Sequence, residues 1–113
     1  MRLLVLVLND VDLLDPLLEE MLEKGVRGAT ILNSMGMAME LSKAEDYPMF
    51  GSLRMMLNSD HEESRTIFFI LQEEEVKKVK QVIRDVLGDL SMPDTAIMFT
   101  MPILDAEGIA PKE

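Results

Sequence analysis

The sequence predicts an α+β fold in which a strand–helix–strand unit occurs twice, in the order βαββαβ. Three observations carry this expectation. Four short apolar runs read as strands, two longer stretches repeat their apolar residues at helical spacing, and the two halves mirror each other around a long segment with no period.

Arg2 to Leu8 is a continuous Leu/Val run, as expected of a strand covered on both faces, or on one face plus a subunit neighbour. The stretch DVDLLDPLLEEMLEKG follows as the first helix. Asp12 or Asp15 is placed to cap it, Pro16 falls in the first turn where a missing N–H is harmless, and Leu14, Leu17, Leu18, Met21 and Leu22 share one face. Gly25 is its natural stop. The second strand is expected over Val26 to Ser34, with Ala29, Ile31 and Ser34 alternating against Thr30, Leu32 and Asn33. Beyond Gly36 the period fails. Pro48, Gly51, Ser52 and the polar run from Asn58 to Ser64 mark loop, with room over Met49 to Leu57 for a strand extension or one helical turn.

RTIFFILQ, Arg65 to Gln72, is the third strand. In EEEVKKVKQVIRDVLGDL, the apolar stripe of Val76, Val79, Ile83, Val86 and Leu87 makes the second helix, with acids in its first turn, bases after them and Gly88 as the stop. TAIMFTMPI, Thr95 to Ile103, is the fourth strand, after which Pro102 and the tail from Asp105 to Glu113 leave the sheet. These elements make one domain spanning 1–113 with the ferredoxin-like topology: a four-stranded antiparallel sheet, two helices on one face, and a long loop over about 36–64. The other face is then bare and apolar, and a chain this small is expected to cover it with further copies of itself in a closed homo-oligomer.

Composition narrows the function. With 113 residues and 48% apolar side chains but no Trp, the core rests on Leu, Ile, Val and an unusual set of 11 methionines. A net charge of −10 repels nucleic acid and anionic lipid, and the few cations are not gathered: Lys77, Lys78 and Lys80 follow directly on Glu73, Glu74 and Glu75. No nucleic-acid partner is expected. The absence of cysteine excludes disulfides, thiolate zinc sites and a cysteine nucleophile. The run after Arg2 ends at Asn9-Asp10, lacks a small-residue cleavage site and is too short to span a bilayer, so a cytoplasmic protein without membrane insertion is expected.

The chain resembles the nitrogen-regulatory P-II-like signalling proteins, on Gly28-Ala29-Thr30 opening the second strand, Gly36 where the long loop leaves, the loop itself to about Ser64, and Phe99 and Pro102 in IMFTMPI. The resemblance implies a homotrimer of ferredoxin-like subunits with a ligand cleft between subunits. It also implies a T-loop between the second and third strands that regulates a protein partner, a transporter or an enzyme. On this chain the cleft residues would be Gly28, Thr30, Ser34, Gly36, Met37 and Glu40. The loop's apolar anchors would be Met37, Met39, Tyr47, Met49 and Phe50, with Tyr47 the only candidate for the tyrosine modified in the family.

The chain departs from the members that bind ATP or ADP. Their glycine-rich loop before the last strand corresponds to GDLSMPDTAI, where Pro93 removes a donor, Asp94 adds a negative charge and Ile97 stands at the phosphate-binding lysine. The arginines of their C-terminal segment fall near Gly108 and Ala110. Glu40 stands where the family often has an effector-binding glutamine. Opposite unit charges at about 4 Å attract by about 4 kcal/mol at intermediate dielectric, so removing several disfavours ATP and ADP as cofactors.

Each candidate has a plainer reading. Gly28 and Gly36 permit close backbone approach to a ligand, or relieve strand crowding or make a bend. The hydroxyls of Thr30 and Ser34 serve a cleft or cross-strand hydrogen bonds. Met35, Met37 and Met39 alternate, and Met49, Met55 and Met56 follow, so six of the 11 methionines fall within 35–56. Such thioethers suit a soft cation such as copper, the basis of an alternative reading as a cation-binding, CutA-like trimer, or else an adaptable apolar surface. His61, among acids, offers a divalent-metal ligand, a pH switch or a solvated loop residue. No nucleophile elbow, P-loop or metal-spaced histidine pair supports catalysis, so a non-enzymatic protein is expected.

Overall fold

The computed structural model describes residues 1–42, 63–91 and 95–109. The elements are β1 (Arg2–Leu8), a 3-10 turn (Val11–Leu13), α1 (Leu14–Glu23), β2 (Thr30–Ser34), α2 (Met37–Ser42), β3 (Ser64–Leu71), a second 3-10 turn (Glu73–Glu75), α3 (Val76–Leu87) and β4 (Ala96–Pro102). The four strands form one antiparallel sheet in the order β2-β3-β1-β4, with α1 and α3 packed on it, as the ferredoxin-like reading expects.

Alternation along the central strands sorts the apolar residues onto two faces. Leu4, Leu6 and Leu8 of β1 pair with Phe69, Ile67 and Arg65 of β3 and with Thr100, Met98 and Ala96 of β4. The apolar members of this face meet Leu17 and Met21 of α1 and Val79, Val82, Ile83 and Leu87 of α3 in one core. Val82 joins the stripe that the spacing placed on Val76, Val79, Ile83, Val86 and Leu87, while Val76 and Val86 are only half-buried at its rim.

Four expectations are corrected. The first helix has neither Asp12 nor Asp15 as its cap: its N-cap residue is Leu13, with no side-chain cap bond, because the chain enters through a 3-10 turn, and it is this turn that Asp10 caps, its carboxylate accepting from the Asp12 N–H at 3.2 Å. The second strand starts at Thr30, not Val26. Val26 belongs to the helix terminus: its N–H donates to Met21 O (2.9 Å), the Gly25 N–H donates to Leu22 O (3.0 Å), and its side chain enters the core. Residues 37–42, expected as loop, form α2; Met, Ala, Glu and Leu favour helix, but six residues are too few to display a period. Pro102, expected to leave the sheet, is the last residue of β4 and pairs with Arg2, at an edge where its missing N–H breaks no ladder.

The acids before α3 have a structural use. Gln72 and Glu75 form a reciprocal capping box, and Glu73 makes a two-point ion pair with Arg2 at 2.9 Å that ties the start of β1 to the start of the helix.

Two glycine stops are required by backbone conformation. Gly25 has φ 83°, and Gly88 has φ 78° with ψ −144°, a region that only glycine enters freely. Gly25→Ala is expected to lower unfolding stability by about 1 kcal/mol and Gly88→Ala by about 2 kcal/mol, read from urea melts. A Gly88→Ala variant as stable as the parent contradicts this account.

Candidate functional site

The face of the sheet opposite the helices is built in rows. Leu3 stands beside Ile70 and Met101; Val5 beside Phe68 and Phe99, with Thr30 beyond Phe68; Val7 beside Thr66 and Ile97, with Leu32 beyond Thr66; and Ser34 beside Ser64. No residue in these rows is charged, on a chain of net charge −10. Several are open to solvent: Ile97 is 61% exposed, Ile70 48%, Phe99 45%, and Leu32 and Met101 43% each. Val5, flanked by the two phenylalanines, is buried. The face grades from three mainly apolar rows to a polar row at the end where β2 passes into α2 and β3 begins.

The predicted cleft residues fall at two ends of β2. At its start, Gly28 and Thr30 line a groove of about 290 Å³ with Ala29, Phe68, Ile70 and Ile109. It adjoins a larger groove of about 550 Å³, whose wall includes Gly28, Arg27, Gln72, Glu75, Ala106 and Gly108. The residues after β4, expected only as a departing tail, instead run from the β4 edge past Met1, whose carbonyl accepts from the Ile103 N–H (3.1 Å), to the β2 side. Arg27, Phe68, Ile70 and Ile109 were not legible as site residues. Ile109 was the available signal, an apolar residue in an otherwise polar tail.

At the other end of β2, roughly 13 Å away at strand rise, are Ser34 and Gly36. Ser34 and Ser64 hydroxyls lie 2.6 Å apart, and Thr66 Oγ1 donates to Ser34 Oγ at 2.9 Å. Gly36 O accepts from the Glu40 N–H (3.0 Å) at the start of α2, and the Glu40 side chain is exposed. A Cβ added at Gly28 or Gly36 would meet nothing within 4 Å, and neither glycine has a positive φ. Within one chain, then, neither is needed to relieve crowding.

Of the methionines expected as a cluster, Met35, Met37 and Met39 are among the described residues. Met35 follows β2, whereas Met37 and Met39 lie in α2, where residues two apart point about 200° away from each other around the axis. Met37 is 78% exposed and Met39 half-buried. Among the described residues, no group of three His, Asp or Glu side chains could hold a metal ion. Tyr47, Met49, Phe50 and His61, with Met55 and Met56, lie outside the described residues, as do Pro93, Asp94 and Ala110.

In the described part of the segment before β4, Asp89 and Ser91 pair with each other. The Asp89 carboxylate accepts from the Ser91 hydroxyl (2.7 Å) and the Ser91 N–H (2.9 Å), and these two bonds hold its pKa below the usual carboxylate range. A backbone donor that could face an anion is occupied by a carboxylate. Ile97, at the position of the family's lysine, is a strand residue on the open face.

No protein-family model matches the chain, and no curated protein sequence does. Among solved structures, it is similar to a functionally unknown protein from Pediococcus pentosaceus ATCC 25745, with a TM-score of 0.62, 16% identity and 96% of each chain covered. At that identity the likeness shows the fold alone. Among the described residues, no helix is long and apolar enough to cross a membrane.

Because the ionised form of Asp89 is the hydrogen-bonded one, its contribution is present above the ordinary carboxylate range and is lost as pH falls through its own, lower pKa. Ser91→Ala, which removes the hydroxyl donor and keeps the N–H, is expected to move the Asp89 titration, followed by carboxyl-carbon NMR, part of the way back towards the ordinary range. An unchanged titration would refute the assignment of Ser91 as its cause.

Proposed function

We propose that this chain is a non-enzymatic P-II-like signalling protein of the cytoplasm, acting as a homotrimer. It senses a small effector in clefts between subunits and regulates a partner protein, a transporter or an enzyme, through the loop over about 36–64. The observation that carries this reading is the uncharged, largely apolar face of the sheet. Copies meeting there bury Ile97, Phe99, Met101, Ile70 and Leu32 without setting acid against acid, whereas most of the remaining surface of this anionic chain repels a copy.

The two ends of β2 suit such an assembly. In a closed ring the Ser34–Glu40 end of one subunit comes near the Gly28–Thr30 end of the next, which reunites the candidate residues that a single chain keeps apart. Gly28 and Gly36, with open space where a Cβ would lie, leave room for a ligand or for a neighbour's backbone. The effector fits beside Phe68, Ile70 and Ile109, with Arg27 and Gln72 as polar contacts, and is not ATP or ADP. Where the resemblance expects an arginine, the groove wall is Gly108, and the Ser91 N–H is engaged by Asp89. The copper or divalent-cation reading rests on Met35, Met37, Met39 and His61; helical placement of Met37 and Met39 on different sides gives it no support.

Sedimentation at micromolar concentration tests the reading. The parent is expected at three times the 12.8 kDa chain mass, and Ile97→Glu/Phe99→Glu, which alters only exposed side chains of β4, as a folded monomer. An intact parent monomer overturns the proposal. Calorimetric titration with ATP is expected to give no saturable heat, and deletion within the 36–64 loop to abolish capture of the partner while leaving the trimer.

A further inference from the structure

The polar row of the open face holds one hydrogen-bond donor more than the described residues use. Ser34, Ser64 and Thr66 bring three hydroxyl protons, and the contacts Thr66 to Ser34 (2.9 Å) and Ser34 with Ser64 (2.6 Å) take two of them. Among the described residues no further hydrogen bond engages any of the three hydroxyls. Burial decides where the third proton lies. Ser64 is only 5% exposed, so if Ser34 donated to it, the leftover proton would be shut in on Ser64 without an acceptor. Ser64 therefore donates, Ser34 Oγ accepts from both neighbours, and the Ser34 hydroxyl turns its own proton outward from the half-buried edge of the face.

Elsewhere among the described residues of that face, the only other group with direction is the hydroxyl of Thr30, exposed on the edge strand at the far end of β2. Contacts among Leu, Val, Ile, Phe and Met are non-directional, and a slip by one row, two residues or about 6.6 Å, replaces apolar side chains by apolar side chains. Such a face associates without choosing a register. We propose that, in the assembly of copies set out above, on which this inference rests, the Ser34 hydroxyl donates to a backbone carbonyl of the neighbouring copy and so fixes the register at which the uncharged faces meet. A slipped arrangement buries the same donor against an apolar row, where it has no partner, and is disfavoured in every subunit at once. The occupant is a second copy because the face carries no charge with which to select a charged partner, and because a copy meets this otherwise acidic chain there without opposing carboxylates.

The test compares the full chain with Ser34→Ala/Ser64→Ala/Thr66→Val, which removes all three hydroxyls and strands none of them. Native mass spectrometry and sedimentation are expected to show one stoichiometry for the parent and a mixture of stoichiometries for the folded, still associating variant. A variant that keeps the parent's single stoichiometry overturns the register role and leaves the assembly standing. A parent monomer overturns the assembly and the inference with it. Should the variant not fold, a crystal structure of the parent decides: Ser34 Oγ within about 3 Å of an acceptor on a neighbouring copy bears the inference out, and Ser34 facing solvent or apolar atoms refutes it.

Discussion

Two helices can cover one face of a four-stranded sheet and no more, and much of this molecule depends on that constraint. β1 is apolar on both faces, with Leu4, Leu6 and Leu8 on one and Leu3, Val5 and Val7 on the other, yet only the first set meets α1 and α3. β3 and β4 repeat the division: Ile67 and Phe69 are fully buried beneath the helices, while Ile70, Ile97 and Phe99 face outward. The hydrophobic effect fixes which set pairs with the helices, because a one-residue slip would reverse every side chain. Among the described residues, no helix covers the second set.

The parts of the fold that were legible in the sequence are those whose own residues suffice to specify them. Arg2–Leu8 is a strand at the expected residues because six consecutive apolar residues, Leu3 to Leu8, bounded by Asn9-Asp10 leave little else. Gly25 and Gly88 end their helices with positive φ, as their positions suggest. What was not legible depends on a neighbour. Val26 looks like strand by side chain, but its N–H is claimed by Met21 O, five residues back in the helix terminus, so β2 begins four residues later. Asp12 and Asp15 both look like caps of α1, yet the chain tightens into a 3-10 turn first, which Asp10 caps, and α1 begins after Leu13 with no side-chain cap.

The candidate site was legible in the same partial way. Gly28-Ala29-Thr30 does open β2 and does line a groove, but the groove's other side comes from Phe68, Ile70 and the residues after β4. Within Asp105–Ile109 only Ile109 hints that this segment packs back, and it does not say that the segment reaches β2. Met35, Met37 and Met39 show how spacing alone leaves geometry open. An alternating spacing means one shared face in a strand and opposed sides in a helix, and only the local conformation says which. Ser34 was marked by its place at the end of a strand, whereas its partners Ser64 and Thr66 are thirty or more residues away in the chain and adjacent only through the β2–β3 register.

Charge and burial together explain why the open face can be both exposed and selective. Acids are spread over the helices and the connecting segments, at Glu19, Glu20, Glu23, Glu74 and Asp85, and the rows of the open face have none. A macromolecule approaching from the helix side meets like charge if it is acidic. From the sheet side it meets Ile97, Phe99 and Met101, which reward close packing but not orientation. Affinity on such a face comes from the apolar rows; orientation has to come from the few groups with direction. The hydroxyls of Ser34, Ser64 and Thr66 are such groups, and they stand where β2 and β3 meet the loop connecting them, so whatever orders that row also orders the base of the loop.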